Sequence, residues 1–265
     1  MNILDKIVDQ KKIEVVERKR IRSILDLEKE SLFSKENYSL TSFIGNDAKT
    51  GIIAEYKRKS PSKGIINHHS TVEEVTAAYV ANGASGLSVL TDELFFGGRI
   101  EDLVKATVNS IPLLRKDFMI DEYQLIEAKA FGADVILLIA ACLTPDEVKQ
   151  MASTAKNIGL EVLLEIHNEQ ELDHICEEVD FVGVNNRNLK NFEVSINTSL
   201  QLINKIPTTK IAIAESGINN VDTIITLKKA GFKGFLIGEH FMRENDPANT
   251  FADFVKQLNS KQNAN

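Results

Sequence analysis

Cysteine and tryptophan are almost absent from this chain. Its 265 residues include two cysteines, Cys142 and Cys176, and no tryptophan. The cysteines are far apart and form neither a Cys-x-x-Cys motif nor a cluster with histidine, which argues against a disulfide framework and a structural zinc site. Cys142 continues an apolar run, so we interpret it as a buried, unreactive thiol.

Long hydrophobic runs are also lacking. No apolar stretch approaches the roughly 18 residues of a membrane-spanning helix, and Asp5 and Asp9 interrupt the segment where a signal peptide would have its apolar core. The net charge of −7 disfavours nonspecific binding to nucleic acid or to an anionic membrane. We therefore expect a cytoplasmic protein, by default a monomer, whose partner is a small molecule rather than nucleic acid or a membrane.

Motifs of metal and cofactor binding are missing as well. There is no P-loop, and no GxGxxG follows the first apolar run. The five histidines lack the HExxH spacing of zinc ligands, and we interpret all of them as surface or helix residues. The sequence therefore favours acid–base chemistry with no metal and no cofactor. These histidines are His68, His69, His167, His174 and His240.

The chain does contain eight short apolar runs, each typical of a strand buried on both faces. They recur at the spacing of βα units, which give parallel strands. Eight such units, in a chain close to the roughly 250 residues of one barrel, favour an α/β fold with a single (β/α)₈ TIM barrel over a doubly wound open sheet. The runs cover residues 51–54, 85–90, 111–114, 134–140, 160–164, 181–184, 210–214 and 234–237.

Residues 1–48 precede the first run and are rich in charge. Their apolar residues have an imperfect helical spacing, which predicts one or two helices packed outside the barrel. We expect this segment to be an N-terminal helical extension of a single domain, with the barrel over residues 49–265. The predicted apolar stripe contains Ile3, Leu4, Ile7, Val8, Ile13, Val15, Val16, Ile21 and Ile24.

Several helix boundaries can also be predicted from the sequence. Thr144 and Glu147 match a capping box around Pro145, and Asp121 is a second candidate cap. Asp246 or Pro247 should open the last helix. Four glycines should end helices in the left-handed conformation, namely Gly83, Gly132, Gly159 and Gly231.

Charged and amide side chains stand at the ends of five apolar runs. In a closed parallel barrel these ends meet at one mouth, where catalytic residues lie. We interpret Lys116 as a proton donor or anion clamp that Asp117 holds in place, and Glu165 as a general base or half of an ion pair. The candidate catalytic set is Glu55, Lys57, Lys116, Glu165, Asn185 and Glu215.

Small residues follow the last two runs, where many barrels bind phosphate. Ser216, Gly217 and Gly238 suit close approach of backbone N–H groups to an anion. Glu239 would offer its amide there and turn its carboxylate away. Earlier in the chain, Ser60 adds a hydroxyl donor, and the guanidinium of Arg187 suits a carboxylate or phosphate.

Seven segments, in order along nearly the whole chain, resemble the indole-3-glycerol phosphate synthase family of tryptophan biosynthesis. The resemblance implies a (β/α)₈ barrel with an N-terminal helical extension. It also implies conversion of 1-(2-carboxyphenylamino)-1-deoxyribulose 5-phosphate to indole-3-glycerol phosphate, carbon dioxide and water, without a cofactor. The segments are residues 53–62, 90–92 with 95–98, 115–118, 164–166, 185–189, 215–218 and 237–239.

The resemblance further implies roles for single residues. Lys116 matches the family's general acid, and Glu165 its base or charge-stabilising glutamate. Glu55 and Lys57 match residues of carboxylate binding and dehydration, and the division of proton transfers among these four stays open. The other matches are Asn185 and Glu215 for substrate positioning, Arg187 near the anthranilate carboxylate, Ser60, Ser216, Gly217, Gly238 and Glu239 on the phosphate side, and Phe96, Phe118 and Leu137 as an apolar cradle.

Two alternatives stay open. One is phosphoribosylanthranilate isomerase or a related phosphate-binding barrel, which shares the glycine-rich loops but does not need the Glu55-x-Lys57 pair together with Lys116 and Glu165. The other is a non-catalytic barrel that binds a phosphorylated ligand. Acidic and basic groups buried together are costly unless they serve a purpose, which disfavours this second alternative.

Overall fold

Eight parallel strands close into a barrel in the computed structural model, which describes residues 3–189 and 192–262. Neighbours in the chain are neighbours in the barrel, and the first strand closes the ring by pairing with the last. The predicted (β/α)₈ barrel is therefore confirmed. The strands are β1 (Ile52–Tyr56), β2 (Gly86–Leu90), β3 (Leu113–Lys116), β4 (Val135–Ile139), β5 (Glu161–Ile166), β6 (Phe181–Asn185), β7 (Ile211–Glu215) and β8 (Gly234–Ile237).

The strands bury both faces, as their continuous apolar runs predict. Alternate side chains, such as Ile53, Leu163 and Phe181, fill the barrel interior, while Ile52 and Val162 pack outward against the helices. Several strands extend one or two residues beyond the apolar run. The candidate site residues at these ends therefore belong to the hydrogen-bonded ladder, where the barrel fixes their backbone positions.

Helices link most of the strands, and their predicted caps are confirmed. The Thr144–Glu147 capping box is present, Asp121 accepts from the N–H of Tyr123, and the four predicted glycines have positive φ. The helices are α1 (Ile3–Ile21), α2 (Ile24–Leu27), α3 (Leu40–Ile44), α4 (Val72–Ala81), α5 (Ile100–Ala106), α6 (Glu122–Ala130), α7 (Pro145–Asn157), α8 (Asn197–Leu202), α9 (Val221–Ala230), α10 (Glu239–Met242) and α11 (Pro247–Gln262).

One crossover departs from the expected regular pattern. Between β5 and β6 the described chain has a 3₁₀-helix, Glu169–His174, in place of an α-helix. Shorter 3₁₀ segments occupy Ala140–Cys142 and Ile203–Lys205. A two-stranded antiparallel hairpin, Lys59–Ser60 with Gly64–Ile65, follows β1.

The N-terminal segment contains three helices rather than one or two, and its apolar stripe is only partly correct. Ile7 and Val15 are buried, whereas Ile13 and Ile21 are exposed. The residue that the stripe leaves out is Lys11, which is completely buried among carboxylates. This ionic anchor replaces part of the apolar contact that the stripe predicts.

No helix of the described residues is long and apolar enough to cross a membrane. The division of the chain at residue 48, the monomeric state and the cytoplasmic location stay predictions.

Candidate active site

The carboxyl ends of the strands surround a cavity of about 450 Å³, within the range of small-molecule sites. Every residue predicted for the site lines this cavity, so the structure brings the whole predicted set together. It comprises Glu55, Lys57, Ser60, Phe96, Lys116, Phe118, Leu137, Glu165, Asn185, Arg187, Glu215, Ser216, Gly217, Gly238 and Glu239.

Glu55 and Lys57 form the part of the site that β1 supplies. They are two residues apart on an extended chain, so their side chains point to the same side, and Lys57 Nζ lies 2.6 Å from Glu55 Oε1. Gly238 at the end of β8 faces this pair. A β-carbon there would lie 2.8 Å from Cβ of Glu55, so glycine makes room for the carboxylate.

Lys116 lies at the centre of the site, at the end of β3. Its Nζ donates to Glu165 Oε2 at 2.8 Å and lies 3.7 Å from Glu215 Oε2. Burial acts to lower the pKa of Lys116, but the charges of Glu165, Glu215 and Glu55 outweigh it and raise the pKa above its ordinary value. The lysine is therefore an ammonium ion in the free protein.

Glu165 is held at both oxygens. Oε2 accepts from Lys116, and Oε1 accepts from the side-chain amide of Asn185 at 2.9 Å. Burial acts to raise the pKa of Glu165, but Lys116 and His167 outweigh it and hold the pKa well below its usual range. Asn185 is fixed in turn by the N–H of Arg187, which donates to its Oδ1 at 2.9 Å.

Glu215 has the opposite protonation state. Burial, together with the negative charges of Glu165 and Glu55, raises the pKa of Glu215 to about 8 against the opposing effect of Lys116. Its side chain packs over Gly183, where a β-carbon would overlap the carboxylate and lie 3.2 Å from its Cδ. The cavity therefore holds an ionised and a protonated carboxyl group side by side, a pattern typical of acid–base sites.

The predicted phosphate side lies at the ends of β7 and β8. Ser216 and Gly217 both have left-handed backbone, with φ of 63° and 74°, and both line the cavity. Ser60 lines the same cavity. Arg243 also lines the cavity, and it is a cation that the sequence analysis did not single out.

Arg187 and Glu239 form an ion pair across the mouth, with Nη2 2.9 Å from Oε2. The carboxylate of Glu239 therefore faces the guanidinium of Arg187, and the phosphate role of its backbone stays a prediction. The apolar side of the cavity contains Phe96 and Phe118, whose ring centroids lie 5.9 Å apart, and Leu137.

The chain also matches known proteins over nearly its whole length. A family model described as indole-3-glycerol phosphate synthase matches residues 4–254. The chain is 43% identical to the indole-3-glycerol phosphate synthase of Bacteroides thetaiotaomicron, over 97% of this chain and 99% of that protein. It is 39% identical to the synthase of Bordetella pertussis, over 96% and 99% of the two chains.

The chain belongs to the indole-3-glycerol phosphate synthase family.

Solved structures outside this family share the barrel. A 3-hexulose-6-phosphate synthase from Salmonella typhimurium aligns with a TM-score of 0.62 at 13% identity, covering 79% of this chain and 98% of that one. A chain of the tryptophan synthase complex of Pyrococcus furiosus aligns with a TM-score of 0.60 at 14% identity, covering 80% and 99%. At these identities the likeness shows the fold alone.

Two of the sequence-based predictions for this active site are wrong. Asp117 does not hold Lys116, because it pairs with Lys11 at 3.0 Å and with Arg115 at 3.2 Å. His167 is not an ordinary surface histidine, because its Nε2 lies 3.1 Å from Oε1 of Glu165. The signal for His167 was in the sequence: it stands two residues after Glu165, the spacing that placed Glu55 and Lys57 on the same side.

The sequence analysis also did not predict that α1 contributes residues to the active-site cavity. Ile3, Leu4 and Ile7 reach the cavity and add apolar surface beside the strand ends. Among the described residues, no group of three or more histidine, cysteine, aspartate or glutamate side chains has a geometry that would hold a metal ion.

Proposed function

We propose that this chain is an indole-3-glycerol phosphate synthase, a decarboxylating lyase. Its substrate would be 1-(2-carboxyphenylamino)-1-deoxyribulose 5-phosphate, and its products indole-3-glycerol phosphate, carbon dioxide and water. Membership of the family supports this reaction. The observation that carries the proposal is the Lys116 ammonium between an ionised Glu165 and a protonated Glu215 on the floor of the cavity.

Lys116 acts as the general acid of ring closure. The aromatic carbon that bears the carboxylate attacks the ketone carbon, a carbon–carbon bond forms, and the ketone oxygen becomes an alkoxide. An alkoxide is far more basic than an amine, so transfer of a proton from the ammonium is downhill even though neighbouring carboxylates raise the pKa of Lys116. The carbon–carboxylate bond then breaks, its electrons return to the ring, and carbon dioxide leaves.

The carboxylates serve the dehydration that follows. The hydroxyl made from the ketone leaves as water, and the neighbouring ring CH₂ loses a proton. Glu165 accepts this proton, because it is ionised and lies beside Lys116, at 2.8 Å. Glu55 and Lys57, hydrogen-bonded at 2.6 Å, are the second acid–base pair and supply the proton for the departing hydroxyl.

The remaining residues position the two ends of the flexible substrate. Its phosphate binds at Ser216, Gly217 and Gly238, and its carboxylate at the side of Lys57 and Arg187. Its aromatic ring lies against Phe96, Phe118 and Leu137 in the apolar part of the cavity. Holding both ends brings the reacting carbons together, and such positioning contributes a large part of the rate of a ring closure.

Indole fluorescence tests the proposal directly. The chain has no tryptophan and four tyrosines, so a new indole signal would stand on a low background. Mixing the protein with the substrate, with no metal or nucleotide added, should give indole fluorescence and one carbon dioxide per indole. Lys116→Ala should lower kcat by about 10²–10⁴-fold and change KM less, since the lysine acts mainly in the transition state.

Lys105→Ala is the matched control, because Lys105 is an exposed lysine of α5 that pairs with Glu73. It should leave turnover unchanged. A folded wild-type protein that consumes no substrate would refute the proposal in favour of a binding barrel. Isomerase activity on a phosphoribosyl anthranilate, without release of carbon dioxide, would select the isomerase instead.

A further inference from the structure

The 3₁₀-helix Glu169–His174 turns the chain back toward the end of β5. This return places Glu171 against His167. The backbone N–H of His167 donates to Glu171 Oε2 at 2.7 Å, and Nδ1 of the ring lies 3.1 Å from the same oxygen. Glu171 is itself fixed by the side-chain amide of Asn168, which donates to its Oε1 at 2.6 Å.

The other ring nitrogen of His167 faces the active site. Nε2 lies 3.1 Å from Oε1 of Glu165, and this nitrogen is buried with no well-aligned hydrogen bond. The contact is therefore an ion-pair contact rather than a directed hydrogen bond. The side chain of His167 is only 11% exposed, so the interaction is weakly screened by solvent.

We infer that His167 is a positioning residue, an imidazolium ion between Glu171 and Glu165 that keeps Glu165 ionised and in place while Lys116 turns to the substrate. This inference rests on the proposed role of Glu165 as a base. In the free protein, Glu165 has Lys116 on Oε2 and Asn185 with His167 on Oε1. When Lys116 donates its proton to the substrate, His167 is the cation that stays on the carboxylate.

The charged surroundings of His167 support this state. Burial acts to lower the pKa of His167, but Glu165 and Glu171 outweigh it and raise the pKa to about 10. Both ring nitrogens therefore carry protons across the neutral range. The titratable and charged groups around the histidine and its partner are Glu165 on β5, Glu171 and His174 in the 3₁₀-helix, Lys116 on β3, Glu215 on β7, Glu55 on β1 and Cys142 after β4.

Nitrogen NMR of the selectively ¹⁵N-histidine-labelled protein tests the charge state without any substrate. The five histidines give few signals, and His167→Gln assigns the one of interest. Both nitrogens of His167 should be protonated at pH 7.5, with a midpoint near pH 10. Glu171→Gln should lower that midpoint by at least about one pH unit, since an opposite charge within 4–6 Å shifts a pKa by roughly 1–3 units.

A His167 signal that titrates near its ordinary value of 6.5, and that Glu171→Gln does not move, would overturn the inference. This outcome is independent of turnover. A wild-type protein that fails to make indole would refute the proposed function, whereas the NMR result would still report whether the imidazolium faces the two carboxylates.

Steady-state kinetics tests the effect on Glu165. His167→Asn should lower kcat by about 10–100-fold and change KM less than about threefold. Loss of the cation should also move the acid limb of the kcat–pH profile upward by roughly 1–3 units, because Glu165 would then be protonated at higher pH. Glu171→Gln should move the limb in the same direction by a smaller amount.

His174→Asn is the matched control, since His174 lies in the same 3₁₀-helix but its ring nitrogens lie against the backbone oxygens of Glu171 and Leu143, at 3.2 and 3.0 Å, rather than against a carboxylate. Its pH profile should match that of the wild type. If the His167 variants lose thermal stability, and their pH profile stays that of the wild type, the histidine is only structural and the inference fails.

Discussion

Lys11 anchors α1 to the barrel, and its removal should destabilise the protein strongly. Its Nζ lies 2.9 Å from Asp92 Oδ2, 3.0 Å from Asp117 Oδ1 and 2.8 Å from Glu14 Oε2. Burial acts to lower the pKa of Lys11, but Asp117, Asp92 and Glu14 outweigh it and raise the pKa above its ordinary value. The lysine is therefore charged, and its carboxylate partners depend on that charge.

The magnitude follows from what Lys11→Met leaves behind. Asp117 would keep Arg115 and the hydroxyl of Thr91, at 3.2 and 2.6 Å. Asp92 would keep the backbone N–H groups of Phe95 and Phe96 on Oδ1, while its Oδ2 would lose Lys11. Breaking a buried ion pair on one side costs about 3–5 kcal/mol, which corresponds to a fall in Tm of roughly 6–20 °C for a chain of this size.

Urea and thermal denaturation measure this loss, with Lys12→Met as the control. Lys12 is the next residue, its side chain is 65% exposed, and it pairs with Asp9 at 3.4 Å, so its loss should cost less than about 1 kcal/mol. Combining Lys11→Met with Asp92→Asn should restore part of the lost stability, because one unpaired carboxylate is removed. If Lys11→Met were no less stable than Lys12→Met, the anchoring role would be refuted.

Two further predictions concern the carboxylates of the cavity. Gly183→Ala should lower kcat at least tenfold, because the new β-carbon displaces the carboxylate of Glu215. Gly86→Ala is the control: its β-carbon would lie 2.8 Å from Leu40 Cδ1, so it should reduce stability with little effect on kcat. Equal losses of kcat in the two variants would contradict this prediction. The second prediction concerns the pH dependence of stability. The folded protein keeps Glu215 protonated up to about pH 8, whereas the unfolded chain does not. The contribution of this group to the free energy of unfolding should therefore fall as the pH rises from about 4.5 to 8. Urea midpoints should therefore fall more steeply with pH in the wild type than in Glu215→Gln, and parallel curves would exclude a raised pKa.

The barrel and most of the site were predictable because they depend on local signals. A strand buried on both faces has a nearly continuous apolar sequence, so a polar residue such as Lys116 or Glu165 at its end is conspicuous. The closure of eight strands then brings those ends together. The fold prediction is confirmed, and the placement of the candidate residues agrees with it, while their individual roles stay predictions.

The errors about Lys11 and Asp117 arose where contacts join distant parts of the chain. A lysine in a highly charged helix usually faces solvent, and nothing near Lys11 in the sequence shows that Asp92 and Asp117 surround it. The position of Glu171 depends in the same way on a 3₁₀ turn in place of the expected regular α-helical crossover. Burial of charge is a property of the assembled fold, and sequence periodicity alone does not encode it.

The pairing of β1 with β8 has a consequence for how activity arises during folding. Ile53 pairs with Leu236 and Ala54 with Ile237, so residues from opposite ends of the barrel sequence meet at this junction. Gly238 approaches Glu55 only once this pairing has formed. Contacts so distant in sequence form slowly, because a long loop must close before they contribute stability. A nascent or partly refolded chain with seven strands in place therefore lacks a complete catalytic site, and the capacity to turn over substrate arises only when the ring closes.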